Sequence, residues 1–303
     1  MSPTESGIVL VDKPQGWTSH QVVGRMRRLL GTRKIGHAGT LDPMATGLLI
    51  IGVNRATRLL GHLAGHDKTY LATIRLGQSS TTDDAEGELS PVVPVAHLDD
   101  ATIEAAMAPL RGRIEQVPSS VSAIKVDGKR AYALVRAGHE VELKARSVEV
   151  TRFEVTGRRM VGDFLDLDVV VDCSSGTYIR ALARDLGAAL VVDGQDVGGH
   201  LTMLRRTRIG GFELPADPPN LDSDEPVHVT PMAEVGRTAF DWVEVSAEQV
   251  VDVGYGRALP LQVTGHPTAL IGPTAAQPGG ELVALHEPDP DRPGWTKPLA
   301  VLL

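Results

Sequence analysis

Phe164-Leu-Asp-Leu-Asp-Val-Val-Val-Asp-Cys173 runs straight into Ser174-Ser-Gly-Thr-Tyr-Ile-Arg-Ala-Leu-Ala-Arg-Asp-Leu-Gly187, and the apolar period changes between the two halves. In the first half Leu165, Leu167, Val169, Val171 and Cys173 fall on one face of a strand and Asp166, Asp168 and Asp172 on the other. In the second half Ile179, Leu182 and Leu186 form a helical stripe, with Ser174 or Ser175 as the expected N-cap. Upstream, Thr69 to Leu76 alternates in the same way, with Tyr70, Ala72, Ile74 and Leu76 on one face. Nearer the N-terminus a short strand, Ile8 to Val11, precedes a helix capped by Thr18 or Ser19. Its apolar residues Val22, Val23, Met26, Leu29 and Leu30 face inward, and Gly31 stops it. Arg25 and Arg28 lie off that stripe, where they are expected to face a ligand. Residues 78–100 read as an acidic loop and 213–238 as a connecting segment rich in Pro, Asp and Glu. Short apolar runs beyond it, such as Leu270-Ile271 and Leu282 to Leu285, predict a small β-rich domain. Strands and helices mix without regular βα alternation, so the predicted class is α+β.

Composition narrows the function classes. The chain has 303 residues, 42% hydrophobic and 22% charged, which fits a globular protein with a substantial core. Cys173 is the single cysteine, which rules out an intramolecular disulfide and an all-cysteine zinc cage and fits a reducing cytoplasm. No basic and apolar leader opens the chain, and no run approaches the roughly 18 apolar residues of a membrane span. The expectation is a cytoplasmic protein without membrane contact. Net charge is −8, concentrated in the C-terminal third. Residues 1–80 instead hold ten basic side chains against Glu5, Asp12, Asp42 and Asp67. A polyanion responds to such a local excess rather than to the total.

Several familiar chemistries fail on spacing. Gly31 and Gly36 have the glycine spacing of a phosphate loop, but His37 stands where its lysine belongs. No dinucleotide fingerprint follows a strand, and the histidines show no metal-ligand spacing, so no cofactor and no metal are expected. Ser175 lacks the preceding glycine of a hydrolase elbow, and Cys173 belongs to the core face of its strand. What remains is Gly36-His-Ala-Gly-Thr-Leu-Asp42-Pro-Met-Ala-Thr-Gly47. Its glycines let backbone approach a planar ligand, and Pro43 fixes the chain after Asp42. Taken alone, Asp42 reads equally as a turn starter.

GHAGTLDPMATGLL resembles the catalytic-aspartate motif of the TruB-type pseudouridine synthases. VDKPQGWTSHQVVGRMRR resembles that family's N-terminal motif, KTYLATIRLGQSSTTDDAEG its tyrosine-bearing strand, CSSGTYIRALARDLG its arginine motif, and LRRTRIGGF the close of its catalytic domain. The five occur in family order. The resemblance implies a mainly antiparallel central sheet with flanking helices in a catalytic domain over 1–238, with an RNA-contacting arm at about 116–146. The tail from 239 to 303 is similar to a PUA domain, a small RNA-binding β-barrel. By the same resemblance Asp42 is the catalytic carboxylate, Tyr70 stacks on uracil and moves its C5 proton, and Arg180 pairs with Asp42. His37, Tyr178 and Leu204 match nucleotide-contacting positions, and Lys13 and Pro14 an element beneath the site. The implied substrate is uridine 55 in the T-arm stem-loop of tRNA, turned over by a monomer with no obligate protein partner. Two other readings compete: a non-catalytic RNA-binding or folding module, and a nucleoside hydrolase pairing Asp42 with Asp185.

Overall fold

The alternation at Phe164–Cys173 is a strand of those same bounds, with Leu165, Leu167, Val169, Val171 and Cys173 all buried. The computed structural model in which it is seen describes residues 5–95, 98–119, 125–126, 129–130, 143–264 and 267–303. The expected RNA-contacting arm falls for the most part outside the described residues. The chain forms two compact units, one of Met1–Pro43, Gly47–Ala64 and Ile209–Leu303, the other of Met44–Thr46 and Gly65–Arg208.

In the second unit the strand order is Gly199–Ile209, Lys68–Leu76, Phe164–Cys173, Arg146–Val161, Gly112–Gln116. Lys68–Leu76 and Phe164–Cys173 pair antiparallel from Lys68↔Cys173 to Leu76↔Leu165, which puts their two apolar rows on one face. The opposite face is polar and internally paired. Thr73 donates to Asp168 at 2.7 Å, Thr69 to Asp172, and Arg75 reaches both oxygens of Asp166 at 2.7 and 2.9 Å. Such cross-strand pairs satisfy carboxylates that would otherwise penalise a sheet face. Helix Ile179–Ala189 buries Ile179, Leu182 and Leu186, as its stripe predicts. At Gly187 a Cβ would come within 2.2 Å of the Gly198 backbone, so only glycine permits that close approach.

One expectation needs correction here. The N-cap of that helix is Tyr178, without a side-chain capping bond, rather than Ser174 or Ser175. Those serines are used up in a turn at Gly176, φ +87°, where Ser174 Oγ instead accepts from the Glu149 amide. The described residues of the 78–100 stretch are loop as far as Asp99, as expected, and Asp99 caps a helix, Asp100–Met107, that begins at its end.

In the first unit Gly7–Lys13 pairs antiparallel with Thr46–Val53, which also pairs with Ile35–Ala38. Helix α1, Ser19–Leu29, is capped by Thr18, whose side chain and Gln21 form a reciprocal capping box. Val22, Val23 and Met26 are buried, and Gly31 at φ +61° ends the helix. The C-terminal runs form a four-stranded sheet, Asp241–Glu244, Thr268–Gly272, Glu281–Pro288 and Thr296–Val301, parallel at its first pair and antiparallel after it. Ile8, Leu48, Ile50 and Leu59 share one core with Val235, Ile271, Leu282 and Leu302. Arg55 pairs with Glu281 and donates to the Leu302 carbonyl at 3.1 Å, while Arg58 donates to that of Val301 at 2.8 Å.

Arg25 does not face a ligand. Its guanidinium donates to the carbonyls of Leu221 and Ser223 and pairs with Asp224 at 2.8 Å, clamping the acidic segment against α1. Leu221, Val227 and Val229 of that segment complete the core under the helix. The fold is α+β throughout, and among the described residues no helix is long and apolar enough to cross a membrane.

Candidate active site

Asp42 follows strand Ile35–Ala38 and Gly39 at φ +77° in the first unit, and the chain on both sides of it is pinned. On one side the buried Ser19 hydroxyl accepts from the Leu41 N–H at 3.0 Å and lies 3.2 Å from the Leu41 carbonyl, to which it donates. On the other, the Pro43 carbonyl accepts from the Gly16 N–H at 2.8 Å and from Lys13 Nζ at 3.3 Å. Lys13 is fully buried, and its ammonium also donates to the carbonyls of Pro14 at 2.9 Å and Trp17 at 2.6 Å. A buried cation is tolerated when its donors are spent on carbonyls in this way. The result is a half-buried carboxylate on a fixed stretch of backbone. His37 is half-buried in the same unit, its ring edge-on to that of His20 at 5.4 Å.

Tyr70, Arg180, Tyr178 and Leu204 belong to the second unit. Tyr70 lies on the core face of its strand, 7% exposed. Arg180 is the second residue of its helix and buried. No acidic residue stands in that first turn, where the helix dipole repels a cation. The anion comes from elsewhere in the chain. Arg180 Nη1 donates to Asp84 Oδ2 at 3.2 Å and to the Thr82 carbonyl at 2.9 Å. Asp84 is itself buried, and its Oδ1 accepts from the Thr82 hydroxyl and from the Glu86 N–H at 3.0 Å. Beside it, Arg184 pairs with Asp83 at 3.2 Å. Burial raises the Asp83 pKa above the usual carboxylate range, against the pull of the neighbouring arginines.

Tyr178 is held through its backbone. Its N–H donates to Gln116 Oε1 at 2.8 Å, and its carbonyl accepts from Gln116 Nε2 at 3.1 Å. Leu204 is buried on strand Gly199–Ile209, two residues from the buried Arg206. Lys68 lies on the same face of its strand as Tyr70. Burial and the nearby Arg206 push its amine down to about 8. Burial pushes the Cys173 thiol up to about 11, which makes it a core residue rather than a nucleophile, as its strand position indicates. Asp185, the second carboxylate of the hydrolase reading, pairs with Arg184 at 2.8 Å.

Ser19 in the first unit and Thr82, Asp84 and Gln116 in the second hold candidate residues, roles that motif reading does not assign. Thr82 and Asp84 lie in a stretch read as an acidic loop, and Gln116 is 62 residues from the tyrosine it holds. Ser19 was legible only as a cap, a role that Thr18 fills.

The chain aligns over 94% of its length with a chain of a Cbf5-Nop10-Gar1 complex, of which it covers 79%, at TM-score 0.67 and 26% identity. A second likeness, to an H/ACA RNP bound to a substrate RNA containing 2′-deoxyuridine, has TM-score 0.69 at 24% identity and covers 98% of this chain and 85% of that one. Residues 27–179 match the model of the TruB family pseudouridylate synthase N-terminal domain. The tRNA pseudouridine synthase B of Cutibacterium acnes is 52% identical over 305 residues, covering 100% of both chains. That of Nocardia farcinica is 57% identical over 273 residues, 87% of this chain and 85% of the relative. These matches define an isomerase, a pseudouridine synthase. Within that class the chain belongs to the TruB family.

Proposed function

We propose that the protein converts uridine 55 in the T-arm loop of tRNA to pseudouridine, with Asp42 as the essential carboxylate. The observation that carries this reading is the double pinning of the Asp42 loop, by Ser19 before it and by Lys13 and Gly16 after it. Full-length identity of 52% to a protein named for tRNA pseudouridine synthesis supports the substrate class.

The reaction breaks the bond from C1′ to N1, turns the uracil and rejoins it to the ribose through C5. The C5 proton leaves and N1 gains one, so no atom is added and no oxidant or water is consumed. A glycosidase needs a second carboxylate to activate water, whereas here the departing base is itself the returning nucleophile. Asp42 either attacks C1′ or removes a ribose proton to give a glycal. Tyr70 stacks on the base that has left its helical stack and accepts the C5 proton. Arg180 pairs with the Asp42 carboxylate. In this reading Asp84 and Thr82 set the direction of the Arg180 guanidinium through the bonds described above. His37, Tyr178 and Leu204 line the nucleotide. Residues 239–303 act as a PUA-like RNA-binding module, supported by the four-stranded sheet they form.

The test is a T-arm stem-loop RNA carrying tritium at C5 of one uridine at a time. Release from the position-55 uridine alone is the expected result. Tight binding without release from any uridine would move the reading to a non-catalytic RNA-binding module.

A further inference from the structure

Helix α1 carries a charge pattern on its exposed side that the packing of the fold leaves unused. His20, Gln21, Gly24, Arg27, Arg28 and Gly31 are exposed, and Arg33 and Lys34 continue beyond the helix end. Positions 20, 24, 27 and 28 lie on one helical face, and the helix rises about 12 Å from His20 to Arg28. Arg27 reaches the Ile35 carbonyl at 3.3 Å. Among the described residues no carboxylate pairs with Arg28, Arg33 or Lys34, whereas Arg25 on the flank is spent on Asp224. A favourable helix dipole accounts for cations in the last turn of α1, but not for Arg33 and Lys34 outside it.

The face is also low. A Cβ at Gly24 would meet nothing within 4 Å, so the middle of the strip is open to an approaching backbone. Glycine in a helix interior sacrifices stability relative to alanine, which a surface of no use would not require. The strip has a fixed origin, because Ser19 at the head of α1 holds Leu41 beside Asp42. The whole chain carries −8 and repels RNA at long range, so binding depends on local positive strips such as this one.

We propose that the exposed face of α1, with Arg28, Arg33 and Lys34 as its cations, binds the phosphate backbone of the substrate tRNA alongside the target uridine. The proposal rests on the tRNA reading above and names a surface through which that substrate is held. Contacts of this kind read no sequence; they set register and release counterions, at about 0.7 to 0.9 per phosphate neutralised.

The experiment measures tRNA and T-arm stem-loop affinity against salt, from about 50 to about 300 mM. It compares wild type, the triple variant Arg28→Gln/Arg33→Gln/Lys34→Gln, Gly24→Glu and Gly24→Lys. The triple variant is expected to show a log–log salt slope shallower by about 2 and a Kd raised at least about tenfold at 0.1 M salt. Gly24→Glu and Gly24→Lys add similar bulk and both replace glycine by a better helix former. They are expected to move affinity in opposite directions, weaker for Glu and tighter for Lys. Equal losses from both, or an unchanged slope in the triple variant, overturn the strip and leave these cations as solvated charge or an acidic-protein contact. Charge-insensitive binding by a wild-type enzyme that still releases tritium refutes the strip alone. Wild type that neither binds the RNA nor releases tritium refutes the functional reading and the strip together.

Discussion

Replacing Asp84 by alanine removes a buried carboxylate that pairs with Arg180, and the structure sets the size of the effect. Arg180 and Asp84 side chains are 5% and 4% exposed, at 3.2 Å, so solvent screens the pair little. At an effective dielectric near 20 the attraction is about 5 kcal/mol, and truncating one partner of a buried pair destabilises by about 3–5 kcal/mol. Alanine also strands the Thr82 hydroxyl and the Glu86 N–H. Asparagine keeps an oxygen acceptor for both, but it loses the charge and turns an amide nitrogen, a donor, toward Arg180 in place of Oδ2. The expected order is therefore wild type, then Asp84→Asn, then Asp84→Ala, with the last down by about 3–5 kcal/mol. Urea unfolding at neutral pH measures it, with the midpoint falling and the slope of stability on urea unchanged. Tritium release should fall more steeply than stability, since Arg180 remains in the folded protein but is no longer directed. A loss under about 1 kcal/mol, as for a surface pair, would refute the claim that this pair is buried and interdependent.

Other perturbations have equally definite expectations. Ser19→Ala leaves the Leu41 N–H and carbonyl without their partner while Thr18 still caps the helix. It should cost about 1–3 kcal/mol in urea unfolding and slow single-turnover tritium release; an unchanged rate would show that the loop needs no such anchor. His286 is buried with Nδ1 at 2.8 Å from the Thr296 hydroxyl, and burial pushes it down from 6.5 to about 4. The native state then binds fewer protons than the unfolded chain between those values. Its contribution is complete above pH 6.5 and is lost as pH falls toward 4, so His286→Gln should flatten the stability profile in that window. Lys68 acts with the same sign in an alkaline window. With its pKa down from 10.5 to about 8, the penalty of burying the ammonium is relieved as pH rises from 8 to 10.5. Wild type should gain stability there relative to Lys68→Met, and parallel profiles would contradict the shift.

What could be read from the sequence follows from where one face is buried and the other wet. Lys68–Leu76 and Phe164–Cys173 alternate because one row packs in the core while Asp166, Asp168 and Asp172 are paired on the other. Arg146–Val161 is a strand twice as long as most, yet its sequence shows no such signal. Many of its side chains are exposed charges, among them Arg152, Glu154, Arg158 and Arg159, held by pairing rather than by burial. Helix Asp100–Met107 was hidden by the acidic residues that cap it. Asp42, Tyr70 and Arg180 were legible only through the order of five motifs, since each alone reads as turn, core or surface. Asp84 lies within the tyrosine-bearing motif, but no role for it was legible. It lies 96 residues from Arg180, and nothing local distinguishes a carboxylate buried by a distant helix from a solvated one. The same limit misplaced Arg25, whose partners are nearly 200 residues away.

The most direct test of the central claim is single-turnover tritium release from the position-55 uridine by Asp42→Asn, with T-arm affinity measured alongside. Asparagine fills the same space but can neither attack C1′ nor remove a proton. The account predicts release below detection with affinity within a few-fold of wild type. Release at the wild-type rate would contradict it and leave the pinned loop as architecture alone.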